Sequence, residues 1–186
     1  MFSRLIFALL LVIAWPAAAQ SAAPDVVVKR VDVDGAQVFE VAANGNVKAA
    51  PGAVWKVLTD YESMPEFVPD LNKTKILSRT GNRVIIEQSG VARFLFLSRT
   101  IHLIVQAAEE PMSAIDISLV TGDMKVYSCR WEISALPDGG TRVVYSGKLV
   151  PKFYVPGMLG ANIIRRDIER MMAAVLLRLD RSEPAP

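Results

Sequence analysis

Apolar and polar residues alternate along most of the chain after residue 25, with the period of two that is typical of strands with one buried face. The first two alternating segments flank Asp34-Gly35, a dipeptide favoured in tight hairpin turns. Turn residues separate several of the later segments. The pattern therefore predicts an antiparallel sheet of seven or slightly more strands. The strand segments are residues 26–33, 37–41, 73–78, 83–90, 95–107, 114–121, 125–134 and 141–150.

The periodicity becomes helical in two parts of the chain. Pro51, which suits the first turn of a helix, is followed by apolar residues at helical spacing up to Tyr61. Pro65 and Pro69 limit a second helix, around residues 64–68, to a short one. Residues 156–179 predict an amphipathic helix about 36 Å long that lies across the sheet. Its apolar stripe consists of Ala161, Ile164, Ile168, Met171, Met172, Val175 and Leu179.

Residues 1–19 have a different character from the rest of the chain. Arg4 precedes an apolar run over residues 5–15, and Ala17-Ala18-Ala19 supplies a small-residue cleavage site, which is typical of a signal peptide. The run is shorter than the roughly 20 residues that a membrane-spanning helix needs. We therefore expect export, to the periplasm or fully out of the cell, with no membrane span left after cleavage. Residues 20–181 are then a single domain and 182–186 a disordered tail.

Charge and composition exclude several classes of partner. The net charge is only +2, so the chain lacks the basic patch that nucleic-acid binding needs. One cysteine and one histidine provide neither an internal disulfide nor a metal cluster of recognisable spacing. We expect a monomer, stabilised by its apolar core, with no metal and no cofactor.

The order of elements resembles the START-like, or helix-grip, superfamily, and the local match is closest to its polyketide cyclase and coenzyme Q-binding branch. The most specific segments are Asp60-Tyr61-Glu62 and Pro65-Glu66-Phe67-Val68-Pro69. Further matching positions are residues 53–59, Gly122-Asp123, Trp131, Gly139-Gly140-Thr141, Tyr145, residues 151–156 and the arginine-bearing last helix. The resemblance covers residues 37–179.

This resemblance implies an α+β helix-grip fold, in which a curved antiparallel sheet grips a long C-terminal helix around an apolar cavity. Members bind lipids, quinones, polyketides or plant hormones, and a minority are enzymes. The expected function is carriage or binding of a hydrophobic small molecule, namely a lipid, an isoprenoid quinone or a polyketide-like molecule, in this cavity. A polyketide cyclase or dehydratase acting in the same cavity is one alternative, and an interaction module with a collapsed cavity is another. Export is a departure from the quinone-binding members, which work in mitochondria or cytoplasm.

Strand alternation and helical spacing indicate which side chains face such a cavity. For the apolar ones, ordinary core packing is the competing interpretation. The candidate ligand-binding residues are Trp55, Leu58, Tyr61, Phe67, Val84, Ile86, Gln88, Arg99, Ile117, Leu119, Tyr127, Trp131, Val143, Tyr145, Ile164, Ile168, Met171 and Met172.

Three of these candidates carry polar groups that could fix a ligand or assist acid–base chemistry: Gln88, Arg99 and Tyr145. A satisfied core amide is the alternative for Gln88, and a rim ion pair is the alternative for Arg99. By alternation, His102 points to solvent, and Cys129 lies on the apolar side as an inert buried thiol. No catalytic residue is predicted.

Overall fold

The computed structural model describes residues 23–33, 35–94, 97–153, 155 and 157–181. The expected signal peptide, the expected tail and Asp34 of the predicted turn lie outside these residues. The elements in chain order are β1 Asp25–Val33, β2 Ala36–Val47, α1 Pro51–Leu58, a 3-10 helix Tyr61–Glu66, β3 Leu71–Thr80, β4 Arg83–Phe94, β5 Leu97–Glu110, β6 Ala114–Gly122, β7 Met124–Ala135, β8 Thr141–Pro151 and α2 Gly157–Asp180.

The eight strands form one antiparallel sheet in the order β1-β2-β8-β7-β6-β5-β4-β3. The first hairpin therefore joins the end of the meander, because β2 pairs with β8. Gly35 has a φ of 76°, as the predicted tight turn requires. Most strands extend beyond their predicted limits, because backbone pairing continues where alternation weakens, as at Phe94 opposite Leu97. The predicted helix-grip fold is confirmed.

The two short helices occupy the loop between β2 and β3. Pro51 lies in the first turn of α1, as predicted. The second helix begins at Tyr61, three residues before its predicted start, and ends at Glu66. It is a 3-10 helix with Pro65 inside it. Proline has no N–H to donate, so a short helix is compatible with it and a longer one is not.

The long helix α2 packs against β1, β2 and α1. Its predicted stripe is the buried face, with Met172, Val175 and Leu179 at most 3% exposed, and Leu176 belongs to that face as well. Gly45 permits this close packing, because a Cβ there would lie 2.4 Å from Cδ1 of Leu176. The helix thus packs directly on β1 and β2, and it faces the other strands across the concave side of the sheet.

Candidate ligand-binding cavity

A cavity of about 340 Å³ lies between α2, the 3-10 helix and the concave face of strands β4 to β8. Strand alternation supplies its wall, since Ile86 on β4, Leu103 on β5 and Ile117 on β6 all point inward. Met171 of α2 lies across from them. Of the predicted ligand-binding residues, the cavity is lined by Leu58, Tyr61, Phe67, Ile86, Gln88, Ile117, Tyr127, Trp131, Tyr145, Ile168 and Met171.

The remaining predicted residues are not part of the cavity wall. Most of them belong to the packed core, because alternation identifies the face of a strand but not the depth along it. Those buried in the core are Val84, Val143, Met172 and Ile164, at 0%, 0%, 0% and 8% exposure. Trp55 and Leu119 are partly buried and pack against that core.

Arg99 lies outside the cavity, in contrast to its predicted inward parity. Its side chain is exposed, and its guanidinium carbon stands 5.0 Å from the centre of the Phe153 ring. This is a cation–π contact. Arg99 lies on the part of β5 before Ile101, where the strand no longer borders the cavity. An inward direction at this position therefore does not bring the side chain to the ligand.

Two phenols and a thiol form one polar part of the sheet wall. Tyr127 and Cys129 are two residues apart on the same face of β7, and Tyr145 is on β8. The thiol of Cys129 lies 3.8 Å from Oη of Tyr127. Gly147 is the residue opposite Cys129, and the two strands approach so closely there that a Cβ at Gly147 would lie 3.0 Å from Cβ of Cys129. All three polar side chains line the cavity.

These three groups stay protonated around neutral pH. Burial raises the pKa of the Cys129 thiol to about 11. The charge that Cys129 carries as a thiolate, followed by burial, raises the pKa of Tyr127. Burial, followed by the charges that Cys129 and Tyr127 carry when ionised, raises the pKa of Tyr145. The group therefore offers O–H and S–H donors to the cavity and no base.

Trp131 completes this part of the wall. It lies opposite Tyr145 in the strand register, and their ring centres are 4.8 Å apart at an interplanar angle of 59°. Such tilted aromatic pairs are favourable, so the Trp131 ring restricts the orientation of the Tyr145 phenol.

An ion-pair network stands at the edge of the cavity and links three elements. Asp70, in the loop before β3, accepts hydrogen bonds of 2.8 Å from Nε of Arg93 and from Nη2 of Arg170. The same Nη2 also donates to Asp167, one turn earlier on α2, at 2.8 Å. Asp70 and the α2 residues Asp167 and Arg170 line the cavity. The network therefore ties α2 to β4 and to the loop beside the 3-10 helix.

The backbone of β4 is shaped to accept Asp70. A Cβ at Gly90 would lie 2.4 Å from the Asp70 carbonyl oxygen, and the N–H of Val91 donates to that oxygen at 2.8 Å. Asp70 itself has a φ of 61°, a conformation that aspartate tolerates better than most residues.

The two carboxylates of this network have pKa values shifted in opposite directions. Burial raises the pKa of Asp70, but the hydrogen bonds and charges of Arg93 and Arg170 outweigh it, so the pKa is lowered. At Asp167 burial dominates over the bond to Arg170, and the pKa is raised.

Gln88 is a further polar group in the cavity wall, as predicted for its parity. It lies opposite Thr74 in the pairing of β3 with β4. Oγ1 of Thr74 is buried and has no hydrogen-bond partner among the residues that the structure describes. This side of the sheet therefore also carries polar atoms with unused hydrogen-bonding capacity.

Sequence reasoning did not select several lining residues. The parity of Ile101 and Leu103 indicated an inward direction, and that of Cys129 did too, although only as a core thiol. Asp70, Asp167 and Arg170 gave no such signal. They meet only because Arg170 contacts Asp70, a residue 100 positions away in the sequence.

The outer face of the sheet has a larger depression of about 740 Å³. Most of its charged residues pair with one another, as Lys148 does with Glu40 at 2.9 Å and Arg130 with Asp116. It is therefore a poor candidate for an apolar ligand. His102 is also on an outer face, 48% exposed, and pairs with Glu87 at 3.0 Å. No cluster of metal-ligating side chains occurs within the described ranges.

Fold and cavity together define a helix-grip protein with an internal, mainly apolar cavity. The sequence matches the family described as polyketide cyclase / dehydrase and lipid transport over residues 47–176. The chain belongs to this family, within the START-like superfamily. No curated protein matches the sequence at a significant level.

Solved structures share the fold at low sequence identity. A STAR-related lipid transfer protein from Xanthomonas axonopodis has a TM-score of 0.70 at 16% identity, covering 89% of this chain and 96% of its own. The Zhui aromatase/cyclase from Streptomyces has a TM-score of 0.68 at 16% identity, covering 80% and 97%. Human StAR-related lipid transfer protein 5 has a TM-score of 0.62 at 14% identity, covering 89% of each.

Proposed function

We propose that this protein binds or carries a hydrophobic small molecule, such as a lipid, a quinone or a polyketide-like ring, without transforming it. The observation that carries the proposal is the cavity of about 340 Å³, lined mainly by apolar side chains of the sheet, α2 and the 3-10 helix. Its volume falls at the lower end of the roughly 300–1,000 Å³ of small-molecule sites. A compact ligand therefore fits better than a large one.

The similar structures support this proposal in part. Two of the three are named as lipid transfer proteins and one as an aromatase/cyclase, so the shared fold is used for both carriage and chemistry. Function is determined by the site and not by the fold. In this chain the phenols and the thiol of the wall are donors and not bases, which favours carriage.

The alternative is a cyclase or dehydratase that uses the same cavity. Asp167 is the observation in its favour, because it is a carboxylate on the cavity wall whose pKa is raised by burial. A general base needs such a poised group. However, the Asp167 carboxylate accepts a hydrogen bond from Arg170 at the edge of the cavity, so it helps to hold Arg170 in place. An interaction module with a collapsed cavity is disfavoured by the open space inside the fold.

We also propose that the chain is exported, most simply to the periplasm, after cleavage behind Ala19, and that the mature protein is a monomer. The support is the composition of residues 1–19. None of the helices described here is long and apolar enough to span a membrane. Cell fractionation and N-terminal sequencing of the full-length chain test this: a new N-terminus near Gln20 in a soluble extracytoplasmic fraction is expected, and an unprocessed chain in the membrane pellet would contradict it.

Native mass spectrometry of protein purified from the cells that make it tests the binding function. We expect a mass excess that corresponds to a small lipophilic molecule and disappears after organic extraction. The extracted molecule is then returned to the empty protein. Unaltered recovery after incubation supports carriage, whereas conversion to a cyclised or dehydrated product would establish the enzyme. A protein that neither retains nor rebinds any lipophile contradicts both.

A further inference from the structure

The group formed by Tyr127, Cys129 and Tyr145 is unusual for an apolar wall. Tyr145 and Cys129 are 5% and 6% exposed, and Tyr127 is partly buried. Buried phenols normally satisfy their hydroxyl with a backbone or charged partner. Here the described contacts of these hydroxyls are with each other and with a thiol, which is a weak donor and a weak acceptor.

All three pairs within the group are in hydrogen-bonding contact, but a bond to the thiol is weak and is readily exchanged for a bond to a ligand oxygen. Each phenol supplies one donor and can also accept, and the thiol contributes only weakly. Gly147 places no side chain beside Cys129, and all three polar groups line the cavity. An oxygen atom of a bound molecule can reach hydroxyl donors here without displacing a structural hydrogen bond to the backbone.

From this geometry, and resting on the proposed binding function, we propose that Tyr127, Cys129 and Tyr145 form the recognition site for a neutral oxygen of the ligand. The ligand class is a compact apolar molecule with a ketone, phenol or alcohol group. An anionic carboxylate is excluded as the ligand group, because the cavity lining offers it no free cation.

The exclusion of anions follows from the charges that line the cavity. Arg170 is the cation of the described lining, and it is already bound to two carboxylates, Asp70 and Asp167. An ionised ligand would have to be desolvated without a free cationic partner and in the presence of these two acids. Burial of an unpaired charge is far more costly than burial of a neutral oxygen that accepts a hydrogen bond.

Three naphthalene derivatives of nearly equal shape separate these contributions. Methyl naphthyl ketone carries the neutral oxygen, ethylnaphthalene replaces the carbonyl by an apolar group, and naphthoate replaces the methyl ketone by an anion. Equilibrium dialysis against purified protein at neutral pH gives the three dissociation constants. We expect the ketone to bind about tenfold more tightly than ethylnaphthalene, the value of one net hydrogen bond, and naphthoate to bind more weakly than both.

Hydroxyl deletions then assign the preference to these residues. In Tyr145→Phe, and in Tyr127→Phe combined with Tyr145→Phe, the ketone should lose its advantage while ethylnaphthalene binds as before. Ser128→Ala is the matched control, since it deletes a hydroxyl between Tyr127 and Cys129 on β7 that is exposed on the outer face of the sheet. It should keep the ketone preference. Thermal unfolding checks that each variant is folded. If the double variant does not fold, the single Tyr127→Phe variant takes its place.

The possible results separate the neutral-oxygen site from the proposed binding function on which it rests. Equal affinity of the parent protein for ketone and ethylnaphthalene, a preference retained after both deletions, or tight binding of naphthoate would each overturn the neutral-oxygen site while leaving the carrier function intact. Failure of all three compounds to bind the parent protein would overturn both.

Discussion

Tyr61 Oη donates a hydrogen bond of 2.9 Å to Glu109 Oε1, and this bond joins the 3-10 helix to β5 directly behind the cavity wall. Arg79 of β3 holds both oxygens of the same carboxylate, at 3.1 and 2.9 Å. Glu109 is only 8% exposed. Burial first, and then the charge and hydrogen bond of Glu109, raise the pKa of Tyr61, so its phenol remains a donor. One side of the cavity wall is thus held in place by a buried polar anchor.

Replacing Tyr61 by Phe should destabilise the protein by about 1–3 kcal/mol, the usual cost of removing one partner of a buried hydrogen bond. The measurement is the free energy of unfolding in urea. A double-mutant cycle with Glu109→Ala, which removes the acceptor, isolates the pair, and we expect a coupling energy above about 0.5 kcal/mol for two residues in direct contact. Additive effects of the two substitutions would show that the bond contributes nothing to stability.

The fold was largely predictable because strands and helices leave a repeating record in the sequence. The alternation around Val84 and Ile86 identified β4 and its inward face, and Pro51 identified the start of α1. The same alternation could not separate Val84, which is packed in the core, from Ile86, which lines the cavity. Periodicity describes direction, whereas depth depends on how far α2 stands from each part of the sheet.

The edge of the cavity was not predictable for a related reason. Asp70 is a loop residue, and its partners Arg93 and Arg170 are distant in sequence. Their meeting depends on the curvature of the sheet and the placement of α2, which no local pattern encodes. Arg99 illustrates the converse, since its local pattern was inward while the curved strand carries it to the Phe153 ring outside the cavity.

The pH dependence of stability should contain opposite contributions from Asp70 and Asp167. The pKa of Asp70 is lowered on folding, so its stabilising contribution is complete above the unfolded value of about 3.9 and is lost as pH falls through the folded pKa. The pKa of Asp167 is raised on folding, so its ionised form costs stability above the folded pKa, and that cost disappears below about 3.9.

Asp70→Asn tests this assignment and keeps a residue that tolerates the positive φ. At pH 7 we expect a loss of about 1 kcal/mol, because Arg93 and Arg170 are 60% and 49% exposed and their ion pairs are screened. The variant should also lose less stability than the parent between about pH 5 and 2. Asp167→Asn is the matched control, and its acid limb should become steeper. Identical slopes in parent and variants, measured by urea unfolding across this range, would refute the assignment.

The reactivity of Cys129 should report the buried environment of the phenol–thiol group. Thiolate is the nucleophile in alkylation, and burial raises the pKa of this thiol to about 11. The rate of reaction with iodoacetamide should therefore keep rising up to about pH 11, whereas a free thiol levels off above about 8.5. Mass spectrometry reads the result directly, since the chain has one cysteine. Circular dichroism confirms that the protein stays folded, and a plateau by pH 9 would contradict the raised pKa.

The cavity itself is tested by a pair of substitutions on one strand. Ile117 lines the cavity at the middle of β6, while Ile115, two residues earlier, is 2% exposed and belongs to the packed core. Ile117→Trp should place its indole in the space that a ligand needs, and so abolish binding of methyl naphthyl ketone with a nearly unchanged melting temperature. Ile115→Trp has no space to occupy and should overpack the core, at a cost of about 1–3 kcal/mol. The measurements are thermal unfolding and equilibrium dialysis on both variants. Equal destabilisation by the two substitutions would mean that the space beside Ile117 is closed in solution, because only an open cavity makes one of them tolerable.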